Sequence, residues 1–241
     1  MLAAGECGLS DVTCQAAAPK PWTTEELDLI KRAIDEIVAR PLGKRLISRA
    51  HARGARTLRR YAKAMSGAAE VPAAAAFRRR GEDSSIELYD RMFKYGKTRD
   101  EFSGHPGYLI VSQMLLHECL HALDDVSTTP EFAAMVGFVH ATGRWRFGAS
   151  TAEDALALTR IAEDSKQAEQ TGEFVALERL IRRRARQMMP VRIPSMRAAR
   201  SPSEAFAEIG SHLVLDPGAK RYLSRPIVRF FESEIFSDKP R

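Results

Sequence analysis

Two histidines and a glutamate fall within five consecutive residues of the chain, His117-Glu118-Cys119-Leu120-His121. Residues four apart on an α-helix lie on nearly the same face, about 6 Å apart along the axis, so both imidazoles can bind one metal ion. Glu118 is offset by about 100° around the helix, where it can reach a water beside the metal without being a ligand. Two histidines, a carboxylate base and an open coordination position are the set with which zinc sites activate water for hydrolysis.

The residues around this motif suit a buried helix. The preceding segment, Leu109–Leu116, and the following pair, Ala122 and Leu123, carry no charge. Asp124 and Asp125 come next, at the expected end of the helix. These two aspartates can end and solvate the helix, or they can orient a ligand histidine through a second hydrogen bond.

A zinc site of this type needs a third protein ligand, and the six residues after His121 contain no histidine. A later segment offers Glu204 and Glu208, one helical turn apart, after Ser201, which suits an N-cap. The spacing alone leaves two interpretations of Glu204. It can be the third ligand, or it can be the partner of Ser201 in a capping box.

Taken together, H-E-x-x-H-A-L-D-D and S-P-S-E-A-F-A-E resemble the zincin metallopeptidases of the group that includes the anthrax lethal factor catalytic domain and the bacterial Pro-Pro endopeptidases. The resemblance covers the two site helices and not the first hundred residues. It implies that Glu204 is the third zinc ligand and that Glu208 supports the site from behind. It also implies a zincin-like α+β fold that is mainly α-helical, with a small, mostly antiparallel sheet.

One position departs from the pattern of that family. Its members place a tyrosine seven residues before the third ligand, where the phenol donates a hydrogen bond to the developing oxyanion. In this chain the position is Arg197. An arginine can replace the phenol as a cationic donor, or it can mark a site that has changed its substrate or lost activity. We expect Glu118 and Arg197 to be the catalytic residues.

The patterns elsewhere place the motif in a mainly helical domain. Thr23 and Glu26 form a capping box at the start of a first helix, and a second helix is predicted over Leu42–Arg53. Short segments with strand character follow, and Ser85–Tyr89 alternates between polar and apolar residues. Because zincins pair extended substrates with the edge of a sheet, we expect Ile86–Tyr89 to lie near that edge.

The size and composition suit one folded domain. The chain has 241 residues, of which 44% are hydrophobic and 28% charged. We place the domain at residues 21–241, after a flexible tail over residues 1–20. No apolar run reaches the roughly 18–20 residues of a membrane span.

Two cysteines in the tail bear on the compartment. Cys7 and Cys14 can close a small disulfide loop, which requires an oxidising compartment, or they can remain free thiols. The first residues do not form an intact signal peptide, which fits an exported protein whose signal has been removed. We therefore expect an exported protein, periplasmic or secreted, in preference to a cytoplasmic one.

The net charge of +6 is unevenly distributed. The segment Arg182–Arg200 holds seven arginines and no acidic residue. It can bind an anionic partner, or it can be a solvated basic face. The absence of interleaved aromatic residues argues against nucleic acid as that partner. Prolines break the helix over residues 188–194, where we expect a flexible lid.

These observations predict a zinc-dependent metalloendopeptidase that acts on a peptide or protein substrate. His117, His121 and Glu204 would bind Zn²⁺, and Glu118 would be the general base for hydrolysis by metal-activated water. The alternative is a catalytically weak or inactive zinc-binding protein whose Arg182–Arg200 segment binds an anionic partner. Two histidines and a glutamate also suit other first-row metals.

Overall fold

The computed structural model describes residues 14–16, 18–66, 69–71, 73–79, 84–95, 97, 99–100, 107–141, 144–147, 194–195 and 197–237. The chain separates into two compact units, Met1–Leu123 and Asp124–Arg241. A single domain over residues 21–241 stays a prediction. The side chains of Cys7 and Cys14, the arginines at positions 182–192 and most of the expected lid lie outside the described residues.

Four helices belong to the first unit: α1 (Thr24–Val38), α2 (Pro41–Ala52), α3 (Asp90–Tyr95) and α4 (Ile110–Leu123). The predicted capping box of α1 is confirmed, because the Thr23 hydroxyl accepts from the Glu26 N–H and the Glu26 carboxylate accepts from the Thr23 N–H. The predicted second helix is confirmed as α2, which begins at a proline.

The strands of the first unit are short: β1 (Cys14–Ala16), β2 (Thr57–Arg60), β3 (Ala64–Ser66), β4 (Ala69–Val71), β5 (Ala75–Arg78), β6 (Ser85–Leu88), β7 (Arg99–Asp100) and β8 (Tyr108–Leu109). The sheet that packs against α4 has the order β2-β6-β5. The pairing of β2 with β6 is parallel and that of β5 with β6 antiparallel. This sheet is therefore mixed, whereas the sequence led us to expect a mostly antiparallel one.

The expectation that Ile86–Tyr89 lies near the sheet edge is wrong. Ile86, Glu87 and Leu88 lie in β6, the central strand, and β5 is an edge strand within the described residues. All four residues of β6 are buried. The buried Glu87 accepts hydrogen bonds from Arg78 Nε (3.3 Å) and from the Tyr89 hydroxyl (2.6 Å). Paired in this way, a glutamate can lie inside the protein, and its alternation with apolar residues does not indicate exposure.

The core of the first unit lies where α1 and α2 meet α4. Both helices pack on α4, and their buried side chains are small or branched, including Leu29, Ala33 and Ile37 of α1 and Ala50 of α2. The two helices approach closely at Gly43, where a Cβ atom would lie 2.2 Å from the Ile37 carbonyl oxygen. This core holds the helix that carries the two histidines.

The second unit contains α5 (Pro130–Met135), the hairpin of β9 (Phe138–Ala141) and β10 (Arg144–Phe147), a 3₁₀ turn (Arg197–Ala199), α6 (Pro202–Leu215), α7 (Ala219–Tyr222) and α8 (Arg225–Phe230), which continues into a π-helical turn (Phe231–Ile235). Its core is aromatic. Phe206 of α6 lies 5.7 Å from Phe132 and 5.3 Å from Phe231, measured between ring centroids. No helix in the described ranges is long and apolar enough to cross a membrane.

Candidate metal centre

The two histidines of α4 point to one place. Their Nε2 atoms are 3.0 Å apart, and their rings meet edge to face with centroids 4.7 Å apart. His117 is 0% exposed and His121 5% exposed. A tetrahedral ion with Zn–N bonds of about 2.0–2.1 Å would separate the two nitrogens by about 3.3–3.4 Å. The observed pair is therefore close to the geometry that one ion requires.

The first unit fixes the start of α4 through Glu36 of α1. The Oε2 atom of Glu36 accepts from the Leu109 N–H at 2.8 Å and from the Ser112 hydroxyl at 2.6 Å. These bonds satisfy an N–H next to the first turn, one of the donors that a helix N-terminus leaves open. This contact could not be predicted from the sequence, because Glu36 and Leu109 are more than seventy residues apart.

Glu118 is fully buried and its Oε2 atom accepts from the Phe77 N–H at 2.8 Å. In the antiparallel register of β5 and β6, the Tyr89 N–H bonds to the Ala74 oxygen, so the peptide groups of Ala75 and Phe77 face away from β6. The donor to Glu118 is thus on the outer side of β5. Any residue at position 77 other than proline has this N–H, so sequence reasoning could not have found it.

In the second unit, Glu204 lies in the first turn of α6 and is 4% exposed. The predicted N-cap is confirmed, since the Ser201 hydroxyl accepts from the Glu204 N–H at 3.1 Å. The Glu204 carboxylate accepts from Arg197 Nε at 2.8 Å through Oε2. The residue expected to be an oxyanion donor is therefore an ion-pair partner of the expected third ligand.

Glu208 follows one turn later and is also buried. The Ser195 hydroxyl donates to its Oε2 atom at 2.7 Å, and the same hydroxyl accepts from the Ala198 N–H at 3.3 Å. Nε2 of His212, four residues along α6, is 3.7 Å from the same carboxylate oxygen. Glu208 thus supports the turn that carries Arg197. Sequence reasoning missed Ser195, which directly follows the proline-rich break over residues 188–194.

Asp124 caps the turn that begins the second unit. Its Oδ1 atom accepts from the Val126 and Ser127 N–H groups at 3.2 and 2.9 Å, and its Oδ2 atom accepts from the Ser203 hydroxyl at 2.9 Å. Asp125 is exposed. A role of either aspartate in orienting a ligand histidine stays a prediction.

His117, His121 and Glu204 offer ligand atoms that all lie within 4.8 Å of one another, and all three residues are buried. In the part of the chain that the structure describes, this is the one group of three or more such side chains with this property. Two imidazole nitrogens and a carboxylate oxygen suit Zn²⁺ and other first-row metals. The residues therefore fit a metal ion, and they do not by themselves select which one.

Cys119 stands between the two histidines in sequence but is not part of this group. Its side chain is buried, and burial, followed by the negative charge of Glu118, raises the pKa of its thiol to about 12. Because the thiolate is the form that binds metals, a thiol with this pKa is a poor ligand at neutral pH. Cys119 therefore fills space in α4.

Comparison of the chain with protein-family models, with curated proteins and with solved structures found no match. The function therefore has to be argued from the chemistry of the site itself.

Proposed function

We propose that this protein is a zinc-dependent metallopeptidase in which His117, His121 and Glu204 bind the ion and Glu118 is the general base. One observation carries the proposal. Two buried imidazoles with Nε2 atoms 3.0 Å apart lie within 4.8 Å of a carboxylate oxygen, and a second buried carboxylate follows the first histidine in sequence. The ion, when bound, would supply Lewis acidity toward a water molecule and a peptide carbonyl.

Glu118 has the contacts that a general base needs. Its carboxylate is buried, and the Phe77 N–H holds its Oε2 atom in one orientation. A backbone N–H is a neutral donor, so it orients the carboxylate without pairing it with a full positive charge. Glu118 takes the proton of the attacking water and passes it to the leaving amine.

The choice of a peptide substrate rests on the resemblance of the two site helices to the zincin metallopeptidases. The structure adds no free strand edge at β5. This strand is buried, it packs against α4, and its Phe77 N–H already bonds to Glu118. The outer side of β5 therefore holds the base.

The test begins with the metal content of the protein, purified without added metal or chelator. We expect about one zinc per chain in the wild type, in line with a site of three protein ligands, and sharply weaker retention in Glu204→Ala. A zinc-loaded wild type should then hydrolyse members of a peptide library. A wild type that holds no metal and takes none up on titration would contradict the proposal.

A second function is favoured by one specific contact. Arg197 stands where the family that the site helices resemble has its tyrosine, and it pairs with Glu204. A chain altered in this way could be a catalytically weak or inactive zinc-binding protein that engages an anionic partner. It would retain zinc, cleave no peptide in the library and bind a polyanion less tightly as salt is raised.

A further inference from the structure

The contact between Arg197 and Glu204 has the geometry of a strong charge-assisted hydrogen bond. Nε of Arg197 is 2.8 Å from Oε2 of Glu204. The glutamate side chain is 5% exposed and the arginine side chain 24% exposed. Solvent therefore screens this pair less than it screens a surface ion pair. The contact is able to hold the carboxylate in one orientation.

The backbone that carries Arg197 is fixed on both sides. Before it, the Ser195 hydroxyl donates to the buried Glu208 carboxylate and accepts from the Ala198 N–H. After it, the Arg200 N–H donates to the Arg197 carbonyl oxygen at 3.0 Å. The guanidinium therefore starts from a defined position and is not carried on a freely moving loop.

The backbone that carries Glu204 is fixed as well. The Ser201 hydroxyl accepts from its N–H, and residue 204 lies in the first turn of α6. With both ends defined, the 2.8 Å contact restricts the rotamers of the Glu204 side chain. A ligand that is already oriented loses less conformational entropy when it binds an ion.

We infer that Arg197 is a positioning residue for the third metal ligand: it occupies one carboxylate oxygen of Glu204, so that the other oxygen ligates the ion alone. This role replaces the oxyanion donor expected from the sequence. The inference rests on the proposed metal site and adds to it the coordination mode of Glu204. The Glu208–Ser195 contact acts on Glu204 indirectly, because it holds the turn that carries Arg197.

The positive charge of Arg197 has a competing effect on metal affinity, so the direction in which affinity changes on its removal is informative. A guanidinium beside a metal ligand also repels a cation and withdraws electron density from the carboxylate. If repulsion dominated, removal of Arg197 would strengthen metal binding. If positioning dominates, removal weakens binding by roughly the 10–100-fold that lost outer hydrogen bonds cost at other metal sites.

The experiment measures zinc affinity by competition with a chromophoric chelator, in the full chain. Arg197→Gln is the informative variant, because the Gln amide nitrogen is separated from Cα by as many bonds as Nε of arginine and is a neutral donor. We expect affinity near the wild-type value for Arg197→Gln and about 10–100-fold weaker for Arg197→Ala. Arg200→Ala is the matched control: it removes an exposed arginine three residues away and should leave affinity unchanged.

A second readout does not depend on activity. The visible absorption of bound Co²⁺ weakens as its coordination number rises. If Arg197→Ala frees the second oxygen of Glu204 to ligate, this variant should show a weaker band than the wild type, and Arg197→Gln should not. Thermal unfolding of the metal-free variants separates this change from a loss of folding.

The outcomes separate the two proposals. A wild type that binds no metal overturns the proposed function and this inference together. A wild type that binds zinc, with Arg197→Ala binding it equally well or more tightly, overturns only the positioning role. If Arg197→Ala binds zinc more weakly but its Co²⁺ band is unchanged, the inference that Glu204 ligates through one oxygen is overturned.

Discussion

Glu118 and Glu204 are two buried carboxylates on helices of equal length, and they differ in what holds them. Each helix has 14 residues, of which 13 are buried. Glu118 on α4 accepts from a neutral backbone N–H, whereas Glu204 on α6 accepts from a guanidinium. The same functional group thus has a neutral backbone donor in one helix and a cationic side-chain donor in the other.

This difference fits the two roles that we propose. A cationic donor stabilises the carboxylate anion and fixes its direction, which suits a ligand that must stay ionised. A neutral donor fixes the direction without supplying an opposing full charge, which suits a group that must take up a proton and release it. The contacts of each residue are therefore in line with the proposed roles of base and ligand.

The largest expected effect comes from exchanging each carboxylate for its amide. Glu118→Gln should retain zinc and lose about 10²–10⁴-fold in kcat/KM, the usual contribution of a general base. Glu204→Gln should lose zinc first, and activity only as a consequence. Zinc content and peptide hydrolysis, measured on the same preparations, check this crossed pattern. Wild-type turnover by Glu118→Gln would remove the assignment of the base.

Glu208 accepts from Ser195, next to the turn that carries Arg197, and its removal tests that half of the comparison. In Glu208→Ala the buried Ser195 hydroxyl loses its acceptor, so the free energy of unfolding should fall by about 1–3 kcal/mol. Urea denaturation of the metal-free protein measures this change.

A control for Glu208→Ala comes from the same unit. Glu232 is half-exposed and pairs with Lys220 at 2.5 Å, so Glu232→Ala should cost less than about 1 kcal/mol. If the two variants were equally stable, the buried contact would not be what fixes the turn.

Contacts between residues that are close in sequence could be predicted. The N-cap of α6 and the capping box of α1 could be predicted, because each joins residues only three positions apart. The histidine pair could be predicted for the same reason, since helical spacing alone brings residues 117 and 121 together.

The contacts that give each carboxylate its character could not be predicted. Phe77 and Glu118 are 41 residues apart, and their contact depends on how β5 is placed against α4. Arg197 and Glu204 are only seven residues apart, but their hydrogen bond requires Arg197 to lie in a 3₁₀ turn just before α6. The central position of β6 depends on a buried pairing of Glu87 with Arg78 and Tyr89, which periodicity does not reveal.

The prediction with the smallest expected effect concerns Glu26, which lies away from the metal centre. It tests whether a neighbouring arginine keeps a carboxylate in its ionised form. Glu26 of α1 accepts from the buried Arg60 at 2.7 Å, and this hydrogen bond is the main cause that lowers the pKa of Glu26 below its ordinary value of 4.5. A carboxyl whose pKa is lower in the folded state stabilises the fold above the unfolded pKa. That contribution is lost as pH falls through the folded-state pKa.

Glu26→Gln should therefore be less stable than the wild type near pH 7, by no more than about 1 kcal/mol. The difference should shrink as pH falls below 4.5, which urea unfolding at a series of pH values measures. Glu25→Gln is the matched control, because Glu25 lies in the same turn and its ion pair with Lys97 is exposed. If Glu26→Gln and Glu25→Gln had the same pH profile, a buried arginine would not be enough to hold a neighbouring carboxylate as its anion. The contrast between Glu204 and Glu118 would then lose this support for their different roles.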